Sequence, residues 1–209
     1  MNKARLLWID LEMTGLDPEK DRIIEVGAIA TDWDFREIAS YESGVKIDER
    51  TFRERTISKF FDEIGNEKGE TRREILGESS RNGKPGAQVE RELIEFCEQN
   101  FAKISDLSEK ERKQLSAKSH DEDFAKSLDK LAPIYLCGNS IHQDQKFIER
   151  EWPNLQKILH YRQLDVSSWK LIMENRGVIF AKPEDHRALA DIEGSIAELK
   201  FYLNKMGLK

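Results

Sequence analysis

Cysteine is scarce in this chain: Cys97 and Cys137 are the only two among 209 residues. Two thiols cannot staple a fold together, so a disulfide framework is excluded and a reducing compartment is expected. Net positive charge is also lacking. Lysine and arginine number 34 against 40 aspartates and glutamates, for a formal charge of -6 and a pI of about 5.4. Proteins that grip long nucleic acid neutralise many phosphates with a basic stripe. The acidic balance argues against that mode, and no long double-stranded nucleic acid is expected as a partner, whereas a short substrate with one or a few phosphates stays open. Long apolar runs are missing as well. The opening MNKARLLWIDLE has four apolar residues in a row before Asp10, too few for a signal peptide, and no window reaches the length of a membrane span. No membrane association is expected, and the cytoplasm is the expected location. There is no internal repeat and no low-complexity tract. The 38% hydrophobic and 35% charged residues suit one soluble globular core under a well-solvated surface.

What is there begins with LLWIDLEMTGLDP, residues 6–18. Leu6 to Ile9 read as a buried strand that delivers two carboxylates, Asp10 and Glu12, separated by Leu11. Residues i and i+2 of a strand share a face, so both acids point one way while Leu11 turns into the core. Paired carboxylates repel unless something neutralises them, and hard divalent cations with oxygen ligands do so. The alternative is a solvated strand end with two surface acids. Gly15, Asp17 and Pro18 end the strand in a turn. Residues 23–29 (IIEVGAI) form a second strand and residues 35–47 hold a third, an antiparallel meander. From about Asp48 to Lys130 the text is charge-dense and helical. Ser108 and Glu111 have capping-box spacing there, residues 77–86 (GESSRNGKPG) read as a loop, and residues 91–101 have helical periodicity.

Strand character returns at residues 133–137. A helix spans about 141–152, a short strand lies around 160–166, and a further helix follows with Ser167 as its N-cap. The last helix, about 187–205, places Leu189, Ile192, Ile196, Leu199 and Leu203 on one apolar stripe. Strands first and then strands alternating with helices indicate an α/β fold with a mixed β-sheet. Asp144 falls in the first turns of a helix that follows a strand end, where sites collect in such folds. By itself it also reads as ordinary surface. His186 and Asp191 converge if His186 precedes the last helix. A histidine at a helix start is also commonly structural.

Four blocks taken together resemble the DEDDh 3′→5′ exonucleases, a branch of the RNase H-like fold, and within them the oligoribonucleases. The blocks are IDLEMTGLDP at 9–18, CGNSI.QD..F at 137–147, HYR.LDVSS.K at 160–170 and HRAL.DI..SI.EL at 186–199. The resemblance implies an RNase H-like mixed sheet flanked by helices, one exonuclease domain over 1–209 with a charged helical insertion around 103–130. It implies Asp10, Glu12, Asp144 and Asp191 as ligands of two divalent ions, Mg²⁺ or Mn²⁺, with His186 as general base. It implies Leu16 as an apolar wedge against a base and Tyr161 as a stacking residue that completes the partner's site in a homodimer. Ser140, Arg162 and Ser167 match positions that hold a 5′ phosphate. The expected activity is hydrolysis of very short RNA to nucleoside 5′-monophosphates. Trimming of longer RNA or single-stranded DNA 3′ ends, and nucleotide binding without cleavage, are the alternatives. Two departures stand out. His142 replaces the family's usual glycine, and the middle segment has no clear Trp-containing stretch, with Phe60 and Phe61 the nearest aromatics.

Overall fold

The computed structural model of the chain describes residues 3–56, 61, 66–118, 129–181 and 187–208. Its centre is β1 (Leu6–Met13), a strand that can be central because it is apolar on both faces. β2 (Ile23–Thr31) and β3 (Glu37–Gly44) extend the sheet antiparallel on one side. β4 (Ile134–Gly138) and β5 (Leu159–Asp165) extend it parallel on the other, giving the order β3-β2-β1-β4-β5. The α/β mixed sheet expected from the sequence is therefore the architecture.

The helices are α1 (Glu49–Thr56), α2 (Asn66–Asn82), α3 (Gly86–Asn100), α4 (Glu109–Lys118), α5 (His142–Glu151), α6 (Pro153–Ile158), α7 (Val166–Asn175) and α8 (Ala188–Lys205). Alternation along β1 assigns its residues to two cores. Leu7, Ile9, Leu11 and Met13 pack with Val89, Leu93 and Phe96 of α3 and Phe147 and Ile148 of α5. Leu6 and Trp8 pack on the opposite face with Val166 of α7 and Ile192, Ile196 and Leu199 of α8. Asp10 and Glu12 continue this second face, so they emerge where α8 begins.

Gly27 makes that approach possible. It is the β2 partner of Asp10, and a Cβ there would stand 2.8 Å from the backbone of Ala188 and Leu189. With no side chain at Gly27, the first turn of α8 rests directly on the sheet. Asp191 lies in that turn.

Two local expectations need correction. The segment 77–86 is a loop only at residues 83–85, because α2 continues through Gly77 to Asn82 and α3 begins at Gly86. Ile75 and Leu76 are buried with Ile24, Ile47 and Phe61, and buried Ser79 donates to the Val45 carbonyl. Packing on the sheet outweighs the weak helix propensity of Gly and Ser. The N-cap of α7 is Asp165 rather than Ser167: its Oδ1 accepts the Ser167 amide at 2.9 Å. The charged stretch after α3 leaves and returns at one place, since the Ile104 amide donates to the Lys130 carbonyl at 2.8 Å. Between them lie a 3₁₀ turn at Ile104–Asp106 and α4, whose Ser108 and Glu111 form the capping box read from the sequence. Residues 119–128 of that stretch lie outside the described residues.

Candidate active site at the end of the central strand

Three of the predicted acids converge. Asp10, Glu12 and Asp191 can each place a carboxylate oxygen within 4.8 Å of the others. β1 supplies the first two on one face, and the close seating of α8 on Gly27 brings the third. The fourth, Asp144, stands beside them on the first turn of α5, where its Oδ1 accepts the Leu11 amide at 3.0 Å. That bond ties α5 to the residue between Asp10 and Glu12. Asp144 is only 6% exposed, and burial pushes its carboxyl up to about 7. The Leu11 amide and its own backbone amide act in the opposite sense, while the neighbouring charges of Glu12 and Asp165 push the same way as burial. A buried acid so reluctant to ionise alone is one that a cation would charge. His186 lies outside the described residues. Its chain neighbour Arg187 is held by Glu25 and Glu78, at 3.0 and 3.2 Å.

The substrate-side expectations divide. Leu16 is 59% exposed in the turn after β1, with its carbonyl accepting at 2.6 Å from Nε2 of Gln143, the residue before Asp144. The turn behind it is built on buried Asp21, which accepts from Thr14 Oγ1 and the Asp17 amide and pairs with Arg55 at 3.0 Å. Ser140 and Ser167 meet, their hydroxyl oxygens 3.1 Å apart, and the Ser140 amide donates to both Ser167 Oγ and Asp165 Oδ1. Ser140 takes a left-handed backbone, φ 51°, to turn from β4 toward α5. Arg162 is directed elsewhere: its Nε donates to the Tyr161 hydroxyl at 3.0 Å, and its guanidinium lies 5.5 Å from that ring centre. Tyr161 is 76% exposed on edge strand β5, its ring centre 4.5 Å from that of His160 and its plane tilted 30° to it. His142 is exposed at the start of α5, its Nδ1 3.8 Å from Asp165 Oδ2. Phe61 is fully buried, so it presents nothing to a substrate, and Phe60 lies outside the described residues.

Comparison with known proteins bears on this geometry. A family model described as "Exonuclease", the RNase T family, matches residues 7–73 and 87–199. The chain is 32% identical over 206 residues to an oligoribonuclease of Francisella tularensis (strain WY96-3418), covering 96% of this chain and 95% of that one. It is 35% identical over 205 residues to an oligoribonuclease of Bordetella pertussis, covering 96% and 94%. The chain belongs to the DEDDh exonuclease family, among its oligoribonucleases. Its fold is also that of exonuclease I. A zinc-bound E. coli exonuclease I complex with single-stranded DNA aligns with a TM-score of 0.57 at 14% identity, covering 99% of this chain and 42% of that one. Exonuclease I of Methylocaldum szegediense aligns at 0.55 with 15% identity, covering 96% and 40%. This oligoribonuclease-family chain thus spans about two fifths of those larger proteins, and the likeness is one of fold, the RNase H-like mixed sheet.

Several residues of this oligoribonuclease-family site carry no sequence signal strong enough to select them. Glu25 is 4% exposed within β2, accepts the Ala188 amide at 3.2 Å and so caps α8. A lone acid inside the apolar run IIEVGAI was the available clue. Burial raises its carboxyl above the ordinary range, and the Ala188 amide and Arg187 oppose that. Asn139 ties the β4 end to α8 by donating to Ser195 and Glu198 at 2.9 and 3.2 Å. Arg72 of α2 donates its Nε to Glu12 Oε2, which places a cation against the acid cluster. Nothing in the charge-dense text around Arg72 distinguishes it.

Proposed function

We propose that this chain is a metal-dependent 3′→5′ exoribonuclease that degrades very short RNA, dinucleotides to a few nucleotides, to nucleoside 5′-monophosphates. The observation that carries the reading is the convergence of Asp10, Glu12 and Asp191, with Asp144 tied to the strand between them, in a chain of oligoribonuclease family. The donor set fits hard divalent cations. It is all carboxylate, and both cysteines are buried elsewhere. Asp10, Glu12, Asp144 and Asp191 would hold two ions, Mg²⁺ or Mn²⁺. Bound there, they supply Lewis acidity toward the attacking water and the leaving 3′ oxygen.

The chain's own groups do the rest. His186 takes the proton of the attacking water, whose oxygen bonds to the scissile phosphorus as the bond to the 3′ oxygen breaks. That oxygen takes up a proton from solvent water as it leaves, His186 later returns its own proton to solvent, and the released nucleotide keeps the phosphate at its 5′ position. Leu16 packs against a base from the rim of the site. Ser140 and Ser167 offer hydroxyls to the 5′ phosphate of a two-nucleotide substrate, and Arg162 joins them when it leaves Tyr161. Tyr161 stacks on a base held by a second copy of the chain, which makes a homodimer the working assembly. A pocket closed at a 5′ phosphate needs a few local contacts rather than a basic channel, in keeping with the charge of -6. Among the described residues no helix is long and apolar enough to cross a membrane.

The test uses 5′-labelled RNAs of two, five and twenty nucleotides with Mg²⁺, Mn²⁺ or EDTA, beside Asp10→Ala. Fast metal-dependent loss of the dinucleotide with the twenty-mer nearly untouched is expected. Equal attack on the twenty-mer would refute the closed pocket while keeping the exonuclease. No cleavage of any length would refute the enzyme reading.

A further inference from the structure

The acid cluster already has a cation of its own. Arg72 projects from α2, the helix packed against β2 and β3, and its Nε donates to Glu12 Oε2. The Glu12 side chain is 5% exposed and that of Arg72 22%, so solvent screens the pair poorly. Glu12 is also one of the three carboxylates that converge within 4.8 Å. Guanidinium stays charged at any pH the fold survives. A divalent ion entering the cluster therefore meets a permanent positive charge bonded to one of its ligands. Like charges a few ångströms apart in a poorly hydrated site repel strongly.

We propose that Arg72 is a built-in counter-cation that competes with the divalent metal for Glu12. It relieves repulsion among the acids before metal arrives and lowers metal affinity, so that loading follows the free cation concentration. The inference rests on the metal-dependent reading of the cluster. It assigns Arg72 a positioning role, exerted through Glu12. A purely structural contact and this competition differ in sign. If Arg72 merely shaped the site, its loss would weaken metal binding. If it competes, its loss strengthens metal binding while weakening the metal-free fold.

The experiment is calorimetric titration of the full chain with Mn²⁺, without RNA, for the parent, Arg72→Gln, Arg72→Lys and Glu12→Gln, with melting in EDTA alongside. Saturable binding by the parent that Glu12→Gln weakens secures the site, and its absence would overturn the metal reading and this inference together. Given that site, Arg72→Gln is expected to bind Mn²⁺ about tenfold more tightly. It should also melt at a lower temperature in EDTA, while Arg72→Lys stays within about threefold of the parent. Equal or weaker Mn²⁺ binding by Arg72→Gln overturns the inference and leaves the exonuclease reading standing. A measurement on the parent guards against a variant that fails to fold. The Arg72 Nε–H resonance should shift as Mg²⁺ is added, at the concentrations that give half-saturation. A resonance unmoved at saturation overturns the competition.

Discussion

Replacing Asp144 by Asn should stabilise the metal-free protein while disabling it. Asp144 is buried, with Oδ1 accepting the Leu11 amide, and its carboxyl is pushed up to about 7 from an ordinary 3.8. Asn reproduces the protonated acid, with an acceptor on one atom and a donor on the other, so the Leu11 bond can persist. The folded carboxyl binds its proton more tightly than the unfolded one. Stability from this group is therefore full below about pH 4 and is lost as pH rises to 7, because the unfolded chain ionises first. Three units at about 1.4 kcal/mol each bound the loss near 4 kcal/mol, and coupling to Glu12 and Asp165 makes about 2–4 kcal/mol a fair range. For a domain of this size that is roughly 5–15 °C in Tm. Melts in EDTA should give Asp144→Asn an advantage that widens from pH 5 to pH 7 and levels off above. With Mn²⁺ the parent should gain more than the variant, whose dinucleotide cleavage falls about a hundredfold or more. An advantage independent of pH, or a variant less stable than the parent at pH 8 in EDTA, would refute the assignment of burial as the cause.

Gly27→Ala should push the first turn of α8 off the sheet, since its Cβ would lie 2.8 Å from the Ala188 backbone. A loss of about 1–3 kcal/mol in a urea melt and a larger fall in activity than in stability are expected. Tyr161→Ala should leave Tm unchanged, because the ring is 76% exposed, yet raise KM for dinucleotides. Unchanged kinetics would remove Tyr161 from the substrate surface. Asp165→Ala removes the α7 cap and the acceptor of the Ser140 amide. It should cost about 1–2 kcal/mol in a thermal melt and weaken binding of 5′-phosphorylated dinucleotides more than of unphosphorylated ones.

The sequence reveals most where a pattern is local. The apolar run into Asp10 and Glu12 reads as a strand, and the two-residue period assigns both acids to one face before any contact is known. The stripe Leu189, Ile192, Ile196, Leu199 and Leu203 reads as the buried face of a helix, and it is one. Legibility fails where distant residues decide. Gly77 to Asn82 carries every mark of a loop, but Ile75 and Leu76 pack with Ile24 of β2, Ser79 donates to the Val45 carbonyl just past β3, and the helix continues. The cap of α7 moves from Ser167 to Asp165 because both residues can cap, and the carboxylate also serves the Ser140 amide from another strand end. The Asp144–Leu11 bond joins residues 133 positions apart, and the Arg72–Glu12 pair joins residues 60 apart. Motif spacing names acids, but the partners that set their charge are supplied by packing.

The account stands on the acids at the end of β1 forming a two-metal centre. A crystal of the full chain soaked in Mn²⁺, with anomalous diffraction measured at the manganese edge, tests this most directly. Two peaks roughly 4 Å apart among Asp10, Glu12, Asp144 and Asp191 are predicted. Manganese bound elsewhere on the chain, with no peak among these four carboxylates at saturating concentration, would contradict it.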